Sequence, residues 1–430
     1  MSLMSSPYKT FSYYTFGCKV NFADSSYISS ELIDLGMSQV SIDSNADICF
    51  INTCSVTENA DKKANRIIRN INKRFPDTKI VVMGCYAQLK PDEIMSQKGV
   101  VKVVGAYDKF DINKLLSVDE NNLNYDINSV DKFNITYSQG ERTRAFVKVQ
   151  DGCNYTCSYC TIPLARGKSR SASISHVVDS INKIVSQGFK EIVLSGINIG
   201  DFGFDTKESF ELLLYEIEKI KNLNRYRISS IEPNLISKEI LNIMAKSKKS
   251  MPHFHIPLQS GSNKILKLMK RRYTVEQYKE KIDLINKMIP NVNIGVDVIV
   301  GFPNESKDDF EKTYNLLTSL DVAYLHVFTY SERQNTKAQN IFPKIDEVTK
   351  KNRRKLLMNL SYEKNQYYIN KNLDDNFKVL FENCDEEGVV SGLTENYIRV
   401  YAQGNDSYIN KIKDVKIVKN CDIVHGVIID

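Results

Sequence analysis

Asp151-Gly-Cys-Asn-Tyr-Thr-Cys-Ser-Tyr-Cys-Thr-Ile-Pro163 follows the apolar, strand-like run Ala145 to Gln150. It sets three thiols, Cys153, Cys157 and Cys160, in a Cys-x3-Cys-x2-Cys array. Three thiolates on one short loop can hold three corners of a cubane iron-sulfur cluster, which leaves the fourth iron without a protein ligand. Such an open iron can chelate a small molecule and pass it an electron, an arrangement suited to catalysis rather than to structure. A zinc site needs a fourth ligand close by, and the nearest candidate, His176, lies well beyond the loop at a predicted helix start.

A second set of cysteines stands upstream. Cys18 follows the strand-like run Ser12 to Phe16, Cys54 follows Ile48 to Asn52, and Cys85 follows Ile80 to Met83, and each run leads into a helical stretch. Apolar strand, cysteine, helix, repeated three times, is the pattern of an open parallel α/β sheet, whose functional groups gather at the carboxyl ends of its strands. Cysteines far apart in sequence therefore converge, and three of them again suggest a cluster with an open iron. Cys49 lies inside an apolar run, and Cys384 and Cys421 have no metal-binding spacing, so all three read as packing residues. Nine cysteines is an odd count, and two triads account for six without a disulfide, consistent with a reducing cytoplasmic compartment.

Downstream, strand-like runs at Ala145 to Gln150, Glu191 to Ser195, Arg225 to Ile231, His253 to Leu258, Val292 to Val300 and Tyr324 to Tyr330 alternate with helical ones. This predicts a partial (β/α)6 barrel with its chemistry at the strand ends, where Cys153, Gly196, Glu232, Gln259, Gly301 and Ser331 fall. After a basic helix around Lys350, short β runs at Phe377 to Glu382, Gly388 to Gly392, Tyr397 to Ala402, Asp414 to Lys419 and Ile423 to Ile429 predict a small antiparallel β-barrel, a common oligonucleotide-binding shape. The expected domains are 1–133, 140–368 and 371–430, with the Asn- and Asp-rich stretch Val118 to Asn134 as a polar connection.

The 430 residues carry a net charge of only +6, but basic residues cluster. Lys62, Lys63, Arg66, Arg69, Lys73 and Arg74 fall on one predicted helix; Arg166, Lys168 and Arg170, then Lys264, Lys267, Lys270, Arg271 and Arg272, then Lys350 to Arg354 form further groups. Each alone reads as a solvated face; beside cysteine-bearing loops they suggest a phosphate-binding track. No window is apolar enough to span a membrane and the N-terminus lacks a signal peptide's apolar core, so a cytoplasmic protein is expected. Met1-Ser-Leu-Met-Ser is given no function.

The cysteine loop, with Tyr159 before its last thiol, resembles the signature of radical S-adenosylmethionine (SAM) enzymes, in which the open iron binds the amino and carboxylate groups of SAM. Phe16-Gly-Cys-Lys-Val-Asn21, Ile51-Asn-Thr-Cys-Ser-Val-Thr57, Gly84-Cys-Tyr-Ala-Gln88, Lys148-Val-Gln-Asp-Gly-Cys-Asn154 and Ile162-Pro-Leu-Ala-Arg-Gly167 resemble the methylthiotransferase family. So do Leu194-Ser-Gly-Ile-Asn-Ile-Gly200, Ser229-Ser-Ile-Glu-Pro233, His255-Ile-Pro-Leu-Gln-Ser-Gly261 and Asp297-Val-Ile-Val-Gly-Phe-Pro303. Together with His326-Val-Phe-Thr-Tyr-Ser331, several of these are similar to the branch acting on N6-threonylcarbamoyladenosine in tRNA.

That resemblance implies a TRAM-like C-terminal barrel and two [4Fe-4S] clusters, an auxiliary one on Cys18, Cys54 and Cys85 and a SAM-binding one on Cys153, Cys157 and Cys160. It implies two SAM molecules per turnover, one a methyl donor and one a source of the 5'-deoxyadenosyl radical, acting on C2 of the nucleoside at position 37 in the tRNA anticodon loop. An electron donor such as a flavodoxin or ferredoxin and a sulfur donor are implied as partners. For SAM it points to Tyr159 through its backbone, Ser195 and Gly196 for the amino group, Glu232 for the ribose, and Gln259, Asp297 and Ile299 in the same cavity, with Asn21 and Asp24 as support near Cys18. The chain departs from the branch where a usual glycine is Asn304 and where a usual Gly-Thr is Asn335-Thr336, which puts local turn geometry in question. Alternatives are a methylthiotransferase for isopentenyladenosine tRNA or for a ribosomal-protein aspartate, a noncatalytic iron-sulfur RNA-binding protein that would not cleave SAM, and a zinc protein without iron absorbance.

Overall fold

A computed structural model describes residues 7–117, 122–123, 126–130, 132–138, 143–204, 206–420 and 423–429. Cys421, the opening Met1-Ser-Leu-Met-Ser and part of the 118–134 connection lie outside them. The first unit is a parallel sheet of β1 (Thr10–Thr15), β2 (Ser38–Gln39), β3 (Ile48–Thr53), β4 (Lys79–Gly84), β5 (Val100–Val104) and β6 (Asn122–Leu123) in the order β2-β1-β3-β4-β5-β6. Every residue of β3 is buried, which is why Ile-Cys-Phe-Ile-Asn-Thr reads as an unbroken run: helices cover both faces of such a sheet. Helix α1 (Lys19–Asp34) follows β1, and α2 (Glu58–Arg74) follows β3. In α2, Ala64, Ile68 and Ile71 face the sheet, Thr57 caps the start by accepting from the Ala60 N–H, and all six basic side chains named above are exposed.

The second unit begins with β7 (Thr136–Tyr137), antiparallel to β8 (Arg144–Lys148), and the short pair β9 (Gln150–Asp151) and β10 (Arg170–Ser171). Then β11 (Glu191–Ser195) and β12 (Arg225–Ile228) extend β8 in parallel, while β13 (His253–His255), β14 (Asn293–Val300) and β15 (Tyr324–Thr329) form a second parallel ladder. Backbone bonds from Met251 N to Tyr226 O (3.0 Å) and Ile231 N to His255 O (3.0 Å) join the two ladders into the expected six-stranded partial barrel. Strand alternation decides its chemistry. Ala145, Val147, Ile192, Leu194, Val296, Val298, Leu325 and Val327 pack outward on the helices; Arg144, Lys148, Glu191, Arg225, Arg227, His253, His255 and Asp297 are left for the lumen. Helix α1 packs along β7 and β8, at the edge where the barrel is open.

The long helix Glu347–Lys371 leads to a closed five-stranded barrel of β16 (Asn376–Cys384), β17 (Val389–Leu393), β18 (Arg399–Gln403), β19 (Ile412–Asn420) and β20 (Val424–Ile429), ordered β16-β17-β18-β20-β19. It departs from the purely antiparallel expectation at one seam, since β18 and β20 pair in parallel at Tyr401 and His425. Its Thr394–Tyr397 turn plugs the amino end of the larger barrel: Arg227 donates to Thr394 O and Glu395 O (2.7 Å each), and Tyr397 stacks on His253 with centroids 4.1 Å apart.

Asn304 and Asn335 keep the turns that their substitution for glycine put in question. Both adopt left-handed backbone (φ 69° and 61°), which asparagine tolerates better than other side chains, and Asn304 Nδ2 donates to Phe342 O at 2.7 Å. Among the described residues no helix is long and apolar enough to cross a membrane.

Candidate active site: two cysteine triads beside one cavity

The loop carrying Cys153, Cys157 and Cys160 is tied down by its neighbours. Ser158 N donates to Met269 O (3.1 Å), Ser158 Oγ to Leu268 O (2.8 Å), and Ala338 N to Ser158 O (2.7 Å). Gly152 (φ 69°) lets the loop turn against the next chain segment, where a Cβ would meet Lys168 O at 1.9 Å. Backbone N–H groups point at two sulfurs, Tyr155 N at Cys153 Sγ and Ile162 N at Cys160 Sγ (3.4 Å each). The third, Cys157 Sγ, accepts from Arg271 Nη1 at 3.1 Å, and Arg271 is ion-paired with Glu232. Burial pushes the Cys153 thiol up to about 11 and Cys160 to about 12, so these thiols hold their protons until a metal displaces them.

Cys18, Cys54 and Cys85 follow β1, β3 and β4, three neighbouring strands, at their carboxyl ends. Gly17 (φ 93°) permits the approach, because a Cβ there would stand 2.6 Å from Cys54 Cβ. Asn21 Nδ2 bonds Phe16 O (2.9 Å) and Thr53 O (3.0 Å), which fastens the first of these turns to the second. Burial raises Cys54 to about 12, with Cys85 and Cys18 adding to the effect, so the three sulfurs sense one another. Cys85 Sγ accepts from Arg166 Nε at 3.3 Å. Arg166 reaches across from the barrel's cysteine segment, is fully buried, and is held by both oxygens of Asp151 (2.9 and 3.0 Å) and by Asn21 Oδ1 (2.5 Å).

Asp24 lies in the same buried network, with Lys109 at 2.7 Å, Lys148 at 2.8 Å and Arg166 at 3.6 Å. Burial alone would raise its pKa, but these cations hold it well below the usual carboxylate range.

Among the described residues, the one histidine, cysteine or carboxylate group of three or more whose ligand atoms all lie within 4.8 Å of one another is His255, Asp297 and His326. A single zinc ion would draw three sulfurs to about 3.8 Å apart. Both cysteine triads are wider than that, and wide, all-thiol sets fit a cluster better than one ion.

A cavity of about 340 Å³ opens over the carboxyl ends of the barrel strands. It brings together Cys153, Cys157, Cys160, Tyr159, Glu232, Gln259, Asp297 and Ile299 from the sequence reading. Ser195 and Gly196 are not in its lining: the Ser195 hydroxyl turns back to Val193 O (3.1 Å), and Gly196 packs on the Gln150 side chain. Ile197 and Asn198 take their place. Val56 and Thr57, just after Cys54, also line the cavity, so the N-terminal unit forms part of its wall. That wall is latched by Arg333 on Asp61 (2.7 Å) and Ser55 (2.6 Å), and by Glu58 N on Ser331 Oγ (3.1 Å).

Asp297 Oδ1 accepts from His255 Nε2 (2.8 Å) and lies 3.3 Å from His326 Nδ1. Burial would raise its pKa, yet the two imidazoles hold it down to about 2.

Arg166, Arg170, Arg271 and Arg353 correct the expected phosphate track. All four are buried on acidic partners, Arg166 and Arg170 on Asp151, Arg271 on Glu232 and Arg353 on Glu305. Runs of basic residues hid them, and the one signal that separates Arg166 is its position at the end of a short helix beginning directly behind Cys160 and Thr161.

Comparison with known proteins agrees with this geometry. Residues 147–317 match the Radical SAM superfamily, and residues 10–105 match a family described as Uncharacterized protein family UPF0004. A radical SAM methyltransferase, TsrM from Kitasatospora setae, aligns with a TM-score of 0.56 at 13% identity over 74% of this chain and 73% of that one, a likeness of fold. The chain is 36% identical to the threonylcarbamoyladenosine tRNA methylthiotransferase MtaB of Bacillus subtilis, covering 95% of this chain and 94% of that one. It is 38% identical to the MtaB of Aquifex aeolicus (91% and 96%) and 34% identical to a tRNA-2-methylthio-N(6)-dimethylallyladenosine synthase of Thermodesulfovibrio yellowstonii (94% and 95%). Barrel, cysteine loop and cavity thus define a radical SAM enzyme. The chain belongs to the MtaB-type methylthiotransferase family.

Proposed function

We propose that the protein transfers a methylthio group to C2 of N6-threonylcarbamoyladenosine at position 37 of tRNA, with SAM and two [4Fe-4S] clusters. The reading rests above all on the meeting of the two triads: the turn after Cys54 walls the cavity that contains Cys153, Cys157 and Cys160, and Arg166 ties Cys85 to Asp151 at the root of that loop. When bound there, the groups supply an electron, a carbon radical able to take hydrogen from an unreactive ring position, and sulfur.

The chain's own residues hold and orient. Cys153, Cys157 and Cys160 carry the SAM-binding cluster and Cys18, Cys54 and Cys85 the auxiliary one. Arg271 and Arg166 each direct an N–H at one ligand sulfur, which tunes a cluster's potential. Tyr159, Glu232, Gln259, Asp297 and Ile299 supply the wall for SAM, while the half-exposed Phe328 ring at the cavity rim offers a face on which a splayed base can stack. An external electron donor and an external sulfur donor complete the cycle. The three expected units become an N-terminal cluster domain, a radical SAM domain and an RNA-gripping barrel.

The test is mass spectrometry of nucleosides from tRNA treated with anaerobically reconstituted protein, reductant and SAM. The 2-methylthio derivative of threonylcarbamoyladenosine is expected. Unchanged nucleoside with accumulating 5'-deoxyadenosine would move the substrate to another nucleoside or to a protein.

A further inference from the structure

The strand alternation that sends charged side chains into the barrel lumen also places one metal-ligating residue on each of three adjacent strands. These are His255 on β13, Asp297 on β14 and His326 on β15. Asp297 and His326 are direct partners across the parallel ladder, and His255 pairs with Gly295, two residues before Asp297 on β14. The three side chains converge: Asp297 Oδ1 lies 2.8 Å from His255 Nε2 and 3.3 Å from His326 Nδ1, and the two nitrogens are 3.2 Å apart.

Hydrogen bonds cannot serve all three sides of this triangle. The carboxylate brings no proton, each nitrogen carries at most one, and a proton aimed along one side points roughly 60° away from the next. At most two sides are bonded. A cation at the centre serves all three, because metal bonds of about 2.0–2.2 Å to imidazole nitrogen and carboxylate oxygen set ligand atoms about 2.8–3.5 Å apart. The surroundings complete the site. His255 Nδ1 is bonded to Ser230 Oγ at 2.5 Å, the kind of outer partner that fixes a ligating ring and its tautomer. The His326 side chain is 50% exposed, against 16% and 18% for His255 and Asp297, so an ion has a path from solvent to two ligands already largely withdrawn from it. Asp297 also lines the cavity, and Phe328, two residues beyond His326 on the same face of β15, stands at its rim.

We propose that His255, Asp297 and His326 form a metal centre separate from both cysteine triads, a site for a divalent first-row transition ion such as zinc. Two imidazoles and one carboxylate suit such an ion, whereas magnesium and calcium take oxygen ligands. Three protein ligands leave at least one coordination position for water or an anionic group, and Asp297 joins the ion to the cavity wall. With one ligand from each strand, the ion also pins β13, β14 and β15 together. The site does not depend on which nucleoside the protein modifies.

The experiment adds one equivalent of zinc to the anaerobically reconstituted protein and removes loosely held ion on a desalting column. Bound zinc is then counted, its affinity measured against a competing chelator, and its ligands read by X-ray absorption at the zinc edge. Wild type should keep about one zinc per chain, with a nitrogen and oxygen shell at about 2.0–2.1 Å. His326→Ala, at a half-exposed position, should bind zinc about 100-fold more weakly, and Ser230→Ala about 10-fold more weakly, both with unchanged iron content. Asp297 is left intact because it also borders the cavity. A sulfur shell at about 2.3 Å would put the zinc on cysteines and overturn the assignment. So would loss of zinc from wild type on desalting, or equal affinity in wild type and His326→Ala.

Discussion

Cys153, Cys157 and Cys160 come from one loop of the barrel, whereas Cys18, Cys54 and Cys85 come from the ends of three neighbouring strands of the N-terminal sheet. Each triad has one sulfur bonded by a buried arginine, but the arginines are supplied differently. Arg271 belongs to the same unit as its cysteines and is held by Glu232, whose side chain keeps 16% exposure. Arg166 comes from the other unit and is held by Asp151, Asn21 and Asp24 in a place sealed from water. The loop triad is thus local and self-contained, and the strand-end triad is finished only when the sheet docks on the barrel.

The largest expected effect separates the two chemically. With Cys153→Ala, 5'-deoxyadenosine formation from SAM under reduction should stop, while with Cys54→Ala it should persist with no methylthio product, both read by mass spectrometry. Intact modification in Cys54→Ala would end the two-cluster reading.

The next effect tests how the arginines are anchored. Arg166→Met strands Asp151 and Asp24 among fewer cations in a dry interior and should cost roughly 3–5 kcal/mol of stability. Arg271→Met leaves Glu232 partly reachable by water and should cost about 1–3 kcal/mol. Chemical denaturation gives both numbers, and equal losses would contradict the claim that only one arginine spans two units.

Acid sharpens the same contrast. The folded pKa of Asp24 is depressed, so its contribution to stability is fully present above the unfolded value of about 3.9 and is lost as pH falls through the lower folded value. Thermal melts of the iron-free chain should therefore be flat in this respect from pH 7 to about 5 and fall steeply below about 4. Asp24→Asn should show a lower but less acid-sensitive melting temperature. A melt that declines steadily from neutral pH would assign acid lability to other groups.

The smallest effect concerns RNA. Lys62, Arg66, Arg69 and Lys73 form one exposed stripe along α2, which starts beside the cavity wall. Arg66→Glu should weaken tRNA binding a few-fold and lower the dependence of log Kd on log salt by about 1. Lys279→Glu, on a barrel helix where the lysine pairs with Asp283 at 2.7 Å, should leave both unchanged.

How much of this was legible in the sequence follows from the same contrast. The loop triad announces itself because spacing in sequence is spacing in space. The strand-end triad required the step from apolar runs to a parallel sheet, and it worked because β3 and β4 are nearly wholly buried and read without ambiguity. Arg166 and Arg271 escaped because a basic residue looks the same in sequence whether it meets phosphate or a buried carboxylate. Ser195 and Gly196 lie just short of the cavity lining: the Ser195 hydroxyl turns back to Val193 O, and the chain reaches the lining at Ile197. Asn304 and Asn335 depart from the glycine pattern in sequence but keep the left-handed backbone that glycine would adopt.

The charge network at the junction also bears on how this chain can be divided. On the barrel side, Lys148, Arg166 and Arg170 surround Asp151, three cations against one anion, and Asp24 from helix α1, itself paired with Lys109, supplies Lys148 and Arg166 with a second carboxylate. A fragment beginning after residue 133 would carry that imbalance in its interior, and the missing first third could not be replaced by a linker or a tag. The polar stretch that looks like a seam in the sequence is therefore a poor place to cut the chain, because the carboxylate of Asp24 stays on the other side of the cut.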